Sequence, residues 1–227
     1  MHSGSKTRRN TIHREATSNP MNQATARRHI TRCAEAAQAD EEAFFRACFM
    51  AVVSMQMMSK VFWRMLPAQY ALYRAQGLPA LGVPFRFGFK LRALQELLQA
   101  TPALLELART SKTGELHDTL CAMHGLRAIK SGLITQLTTG ELMCFDSVHC
   151  RQHSLDIRAF AVRWNRKDGP AQYRDFVDSI DTAQMWADWT CLTGARDQMW
   201  ADEISLAHPT FIETGHPQLP NFFGTVT

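Results

Sequence analysis

The chain has 227 residues, of which 45% are hydrophobic and 20% charged, and a formal net charge of +4. That is enough apolar chain for one core of one or two packed lobes, and it excludes a collagen, a wholly disordered chain and a disulfide-stapled miniprotein. The most apolar stretch, Phe44 to Leu66, is interrupted by Arg46, Lys60 and Arg64, so it predicts a buried helix rather than a membrane span.

Residues 1–30 are rich in Ser, Thr, Asn and Arg without apolar period, and predict a disordered basic arm. From Thr31 to Gln76 the pattern is helical. Phe44, Phe45, Cys48, Phe49, Val52, Val53 and Gln56 recur at three- and four-residue spacings. Pro67 marks a break or a new helix start, and residues 77–89, with Gly77, Pro79, Gly82, Pro84 and Gly88, read as a loop. Leu91 to Leu98 is a helix. Thr101-Pro102 opens another, with Thr as cap and Pro in the first turn, ending near Ala108.

Residues 110–114 are a turn, Glu115 to Met123 a short helix and His124 to Ile129 a tight connection. Lys130 to Leu137 is a helix closed by Gly140, and helix resumes from Ser147 to about Phe160. Asp168-Gly169-Pro170 reads as a turn before helices over 171–192 and 196–206, and the tail after His208 is irregular. Almost no segment alternates with period two, so the expected fold is all-α, with residues 31–227 as a single domain.

Charge is uneven. Residues 1–40 carry a net +4, residues 41–167 a net +7 and residues 168–227 a net −7. A basic middle suits a polyanion such as DNA; equally, the two blocks neutralise each other across the fold. The start of the chain has no apolar signal segment and the six cysteines contain no CxxC pair, which together predict reduced thiols in the cytoplasm. Cys144 and Cys150 lie near His149 and His153, but zinc wants four ligands at tight spacing, so no metal or other cofactor is expected.

The chemistry-bearing stretch runs from His124 to His149. A short helix, a Gly-containing connection and a second helix present backbone N–H groups at a helix N-terminus, an arrangement that binds phosphate. Lys130 falls in the first turn of that second helix. Asp146 stands just before the next helix, as its cap or as a carboxylate directed into a cleft.

With Gly125, Lys130, Phe145, Asp146, Ser147 and His149 in this order, the stretch resembles the helix-hairpin-helix DNA glycosylase superfamily. Upstream, Val53-Ser54-Met55-Gln56 is similar to the family's Ser-x-Gln element, whose polar side chains face DNA, and Thr101-Pro102 to its Thr-Pro helix. The resemblance spans about residues 43–160. Arg127 stands where the family has a second hairpin glycine. Lys130 lies five residues beyond Gly125, one further than in the lysine-using glycosylases, which disfavours a Schiff-base nucleophile.

The spacing is closer to a phage-associated branch with Gly-x-Gly-x-x-Lys-(small)-Gly and Cys-(apolar)-Asp-Ser runs. Gln184-Met185-Trp186-Ala187-Asp188-Trp189-Thr190-Cys191 and Ile204-Ser205-Leu206-Ala207-His208 resemble that branch's Leu-Trp-Asp-x-Trp-Cys helix and terminal Ser-x-x-His. The branch includes the amino acid:DNA transferases of thymidine hypermodification.

The resemblance implies two helical lobes with a helix-hairpin-helix element, a cleft between them and double-stranded DNA across a basic face. It implies an enzyme that carries an amino acid onto a phosphorylated 5-hydroxymethyluracil after extruding the base. Asp146 and Lys130 are the catalytic candidates. Gln56, Gly125, Arg127, Ser147, His149 and His208 are the candidates for DNA and substrate binding. A glycosylase excising a modified base and a non-catalytic DNA-binding module are the alternatives. Each candidate also has a plain role: Asp146 as a helix cap, Lys130 as a solvated first-turn residue, Gln56 as the polar edge of a core helix among Met50, Met55, Met57 and Met58, and His208 as a helix-end residue. Trp186 and Trp189 serve packing or base stacking.

Overall fold

A computed structural model of the chain describes residues 31, 34–55, 59–81, 88–142, 144–145, 164 and 166–179, with only the backbone for 59–64 and 67. Every regular element among these residues is a helix. They are α1 (Glu41–Val53), α2 (Ser59–Gln76), a single 3₁₀ turn (Leu78–Leu81), α3 (Gly88–Arg109), α4 (Thr113–Ala122), α5 (Ala128–Thr139) and α6 (Gly169–Ser179).

α1 is the centre. Ten of its thirteen residues are buried, from Ala43 to Val53 with only Arg46 less than fully so, because the helix is apolar around almost its whole circumference. Such a helix needs partners on several sides, and α2, α3 and α5 supply them. Asp40 starts it: the carboxylate accepts from Ala43 N at 2.7 Å, and Glu41 and Glu42 add negative charge at the positive end of the helix dipole. Phe45 and Phe49 of α1 meet Tyr70 and Tyr73 of α2 in tilted and edge-to-face contacts with centroids 5.2–5.8 Å apart.

Two prolines expected to divide helices do not. α2 runs on through Pro67, with Leu66 and Tyr70 buried on one face to either side. α3 is one helix from Gly88 to Arg109, so the separate helix expected from Thr101-Pro102 is absent. Thr101 caps nothing; its hydroxyl donates to Leu97 O at 2.8 Å. The physical reason is that Leu94, Leu97, Thr101, Leu104, Leu105 and Ala108 form one unbroken buried face across the proline. Pro102 itself is exposed, so the hydrogen bond it forgoes lies toward water.

The helical stretch expected from Thr31 is broken at 38–40, where Asp40 caps α1, and the loop expected over 77–89 holds the 3₁₀ turn; the boundaries of the later helices shift by one to three residues. α4 begins at Thr113, α5 at Ala128, and Gly140 closes α5 with φ +75°, as its place in the sequence requires. Asp168-Gly169-Pro170 opens a helix instead of only turning: the turn lies at 166–168, and Pro170 occupies the first turn of α6, where its missing N–H costs nothing.

α4 and α5 pack on each other, and α6 lies against both. Tyr173 of α6 is the main fixing point. It is fully buried, stacks on His117 of α4 at 5.3 Å, and comes so close to Gly132 of α5 that a Cβ there would lie 2.7 Å from its hydroxyl. The turn at 38–40, just before α1, is tied down at two points. Arg109 donates to Gln38 O and Ala39 O, and Gln38 Nε2 donates to Thr138 O at 2.7 Å. No helix among the described residues is long and apolar enough to cross a membrane.

The helices expected at 147–160 and 196–206, the part of the helix expected over 171–192 that follows Ser179, the basic arm 1–30, the Trp186–Trp189 pair and the tail after His208 lie outside the described residues.

Candidate functional site

The connection between α4 and α5 is the turn Met123–Arg127. Its glycine is required: Gly125 has φ +73°, and a Cβ there would meet Phe89 Cδ2 at 3.0 Å. The turn therefore rests on Phe89 at the start of α3. Glu96, two turns along α3, anchors it by accepting from His124 N at 2.6 Å. That bond, with Arg92 beside it, holds the Glu96 carboxyl below its ordinary pKa. The consequence is geometric. The N-terminal ends of α3 and α5 are brought together beneath one turn.

Neither helix has an acidic residue in its first turn, and Arg127, the N-cap of α5, makes no side-chain cap bond. Each helix instead carries a lysine as its third residue, Lys90 in α3 and Lys130 in α5. The two converge on the C-terminal end of α1. Lys90 Nζ donates to Val53 O at 3.2 Å, and Lys130 Nζ donates to Ser54 Oγ at 3.4 Å. Ser54 in turn donates to Ala51 O at 2.7 Å. α1 has no basic residue in its own last turn, so cations from two other helices neutralise its carbonyl end.

The two lysines differ in surroundings. Lys90 is 3% exposed, whereas Lys130 is partly open to solvent. Burial, and secondarily the charge of Lys130, lowers the Lys90 ammonium to a pKa of about 8. Arg127 is exposed beside them at the turn.

A second set of bonds leads toward position 146. Cys144 and Phe145, the two residues before Asp146, are buried. Cys144 N donates to Gln136 Oε1 at 3.1 Å and Cys144 Sγ to Ile129 O at 3.6 Å, so the chain leaving α5 doubles back to the first turn of that helix. Phe145 N donates to Tyr173 Oη at 2.8 Å.

His117 supports the same end of α5 from below. It is fully buried. Arg174 Nη1 donates to its Nδ1 at 3.1 Å, which leaves the ring proton on Nε2, donated to Ala128 O at 2.9 Å. Arg174 also makes a two-pronged pair with Asp118. Burial, reinforced by Arg174, holds the His117 imidazole below its ordinary pKa despite the bond to Ala128 O. Cys121 lies 3.6 Å from His117 Nε2, but burial raises its thiol to about 11, so it is an inert thiol and not a nucleophile.

Of the residues picked out in the sequence, Gly125, Arg127 and Lys130 stand together on the α4–α5 turn and the start of α5. Gln56, Asp146, Ser147, His149 and His208 lie outside the described residues. Sequence reasoning missed Lys90, placed at the junction of an expected loop and helix. Its signal was a lysine between Phe89 and Leu91 in an apolar run, a setting in which a charge is retained only with partners. It also missed the Tyr173–His117–Arg174 support, whose members are distant in sequence. Among the described residues no group of three His, Cys, Asp or Glu is arranged to hold a metal ion. No family model, curated protein or solved structure matches the chain.

Proposed function

We propose that the protein modifies DNA, transferring an amino acid onto a phosphorylated 5-hydroxymethyluracil in the duplex. The observation that carries this reading is the hydrogen bond from Lys130 to Ser54, 76 positions apart in the chain. It joins the two segments that carry the family resemblance, the Lys-containing start of α5 and the Ser-x-Gln element that continues to Gln56. The return of Cys144 to Ile129 supports it as well, because it brings the first residue of the Cys-Phe-Asp-Ser run to the same end of α5.

On this reading two lobes enclose a cleft, the α4–α5 unit is a helix-hairpin-helix element, and an extruded base enters beside it. The amine nitrogen attacks the 5-methylene carbon. The C–O bond to the phosphorylated group breaks, and the group leaves with the bonding electron pair as a phosphate anion. Asp146 orients the amine and takes its proton. Lys130 and Arg127 hold the departing phosphate, and Gln56, Ser147, His149 and His208 contact DNA or substrate.

The test is nucleoside mass analysis of DNA containing phosphorylated 5-hydroxymethyluracil after incubation with the protein and a mixture of amino acids. The expected product is an intact strand whose modified nucleoside has exchanged phosphate for an amino acid. Recovery of the input nucleoside alone overturns the transferase. Release of free base, leaving an alkali-labile site, replaces it with the glycosylase.

A further inference from the structure

α6 packs outside the main apolar core. Its Phe176 meets Phe145 at 5.0 Å, and Trp164 meets Tyr173 at 5.0 Å and Phe176 at 5.5 Å. Phe145, Trp164, Tyr173 and Val177 are buried, yet none of them belongs to the core around α1. The seam where this cluster meets α4 and α5 is polar. His117 of α4 stacks on Tyr173, and Gln136 of α5, 1% exposed, takes the amide of Cys144. Gln136 Nε2 has no hydrogen-bond partner among the described residues, so a buried donor is left unmet in the closed arrangement. Of the eleven residues of α6 only Gly169, Tyr173 and Val177 are buried, against ten of thirteen in α1. A small satellite cluster behind a polar seam is the kind of unit that opens below the free energy of global unfolding.

We propose that α6 opens from α4, α5 and Phe145 as one unit while the core around α1 stays folded, and that a proton on His117 favours the open state. In the closed state the imidazole is neutral, with Nε2–H on Ala128 O and Nδ1 accepting from Arg174. A proton on Nδ1 would face the guanidinium and break that bond. The titratable and charged groups facing the ring are Asp118 and Cys121 on α4 and Arg174 and Tyr173 on α6, and α5 meets it with the Ala128 carbonyl. Cys121 stays a neutral thiol. Opening takes Arg174 and Tyr173 away, admits water and leaves Asp118 beside the ring without its cation. Each of these changes raises the affinity of His117 for a proton. The open state therefore binds the extra proton, and opening is favoured as pH falls below the ordinary imidazole value of 6.5. The same event takes Tyr173 Oη from Phe145 N, which loosens the segment before Asp146.

The test is native-state hydrogen exchange of the full chain, followed by NMR in low denaturant between about pH 7.5 and pH 5.5. An isolated helix of this length is marginal in water, so undocked α6 unfolds and its amides report the opening. The amides of Phe176, Val177 and Phe145 are expected to exchange together. After correction for intrinsic rates they exchange about a hundredfold or more faster than those of Phe49 and Val52 in α1, with a weaker dependence on denaturant. Their opening constant is expected to rise as pH falls from about 6.5, by up to about tenfold per unit, and to lose that rise in His117→Gln. The wild-type pH series decides the matter even if that variant fails to fold. One protection factor and one denaturant slope shared by α1, α6 and Phe145 overturn the separate unit. An α6 opening constant that is flat across the pH range overturns the role of His117. Neither DNA nor amine enters the experiment, so its outcome is independent of the transferase reading.

Discussion

Tyr173→Phe isolates one atom that ties α6 to the segment leading into Asp146. The hydroxyl accepts from Phe145 N at 2.8 Å in a buried setting, and the ring stacks on His117. Removing the oxygen keeps the ring packing and takes the acceptor from a buried amide, which costs about 1–3 kcal/mol. For a chain of this size that lowers Tm by roughly 2–4 °C per kcal/mol. Chemical denaturation gives the free energy, and hydrogen exchange at the Phe145 amide gives its location. A second substitution sharpens the test. In Gly132→Ala the new Cβ would stand 2.7 Å from Tyr173 Oη and 3.0 Å from Cε1. Overpacking of that kind costs about 1–3 kcal/mol, against a gain of up to about 1 kcal/mol in helix propensity. The closest of those contacts is the hydroxyl itself, so Gly132→Ala must cost less in the Tyr173→Phe background. Equal costs in both backgrounds, with unchanged exchange at Phe145, refute the assignment of that oxygen as the shared pin.

The remaining predictions follow from the site. His117 is buried neutral with its pKa depressed, so the unfolded chain binds the extra proton. Its contribution is fully present above about pH 6.5 and is lost as pH falls from there to the folded value, with a slope of at most about 1.4 kcal/mol per pH unit; His117→Gln removes that slope in denaturation curves taken across pH, and an unaltered slope assigns it to other groups. Arg127→Ala and Lys130→Ala each weaken duplex binding and reduce its salt dependence by about one charge, read from affinity against salt concentration; unchanged slopes take both residues off the DNA. Asp146→Asn lowers the yield of aminated nucleoside by roughly a hundredfold or more while duplex affinity is retained; full activity in this variant removes Asp146 from the chemistry.

The helical character of the chain was legible because the signal is dense and local. Phe44 to Val53 repeat at three and four, and Gly140 stands where a left-handed closing residue is needed; the start at Asp40, with Glu41 and Glu42 after it, was passed over because the helical pattern was carried through from Thr31. Pro67 and Pro102 misled for one reason. A proline is a local signal, worth one missing hydrogen bond and some crowding, whereas the face it interrupts is a sum over many side chains. In α3 the buried series Leu94, Leu97, Thr101, Leu104 and Leu105 outweighs that penalty, and the exposed position of Pro102 reduces it further. Thr101-Pro102 reads as a helix start only when the residues before it are not already helical.

The site was legible where one stretch of chain builds it, and illegible where several stretches meet. Gly125 signals its turn because a side chain at that φ is strained and would press on Phe89, and Lys130 follows at the first turn of α5 by counting. Lys90 has no such neighbourhood. It stands 37 residues from the carbonyl it binds, and its meaning comes from a charge 40 positions further on. The buried lysine nevertheless leaves a trace. An ammonium between two large apolar residues at the start of a helix is costly to desolvate, and a helix start is already positive, so two unfavourable features coincide at one position. Such a coincidence persists where something negative comes to meet it. The carbonyl end of α1 is one such partner. Its burial and that bond across 37 positions set Lys90 apart from an ordinary surface lysine.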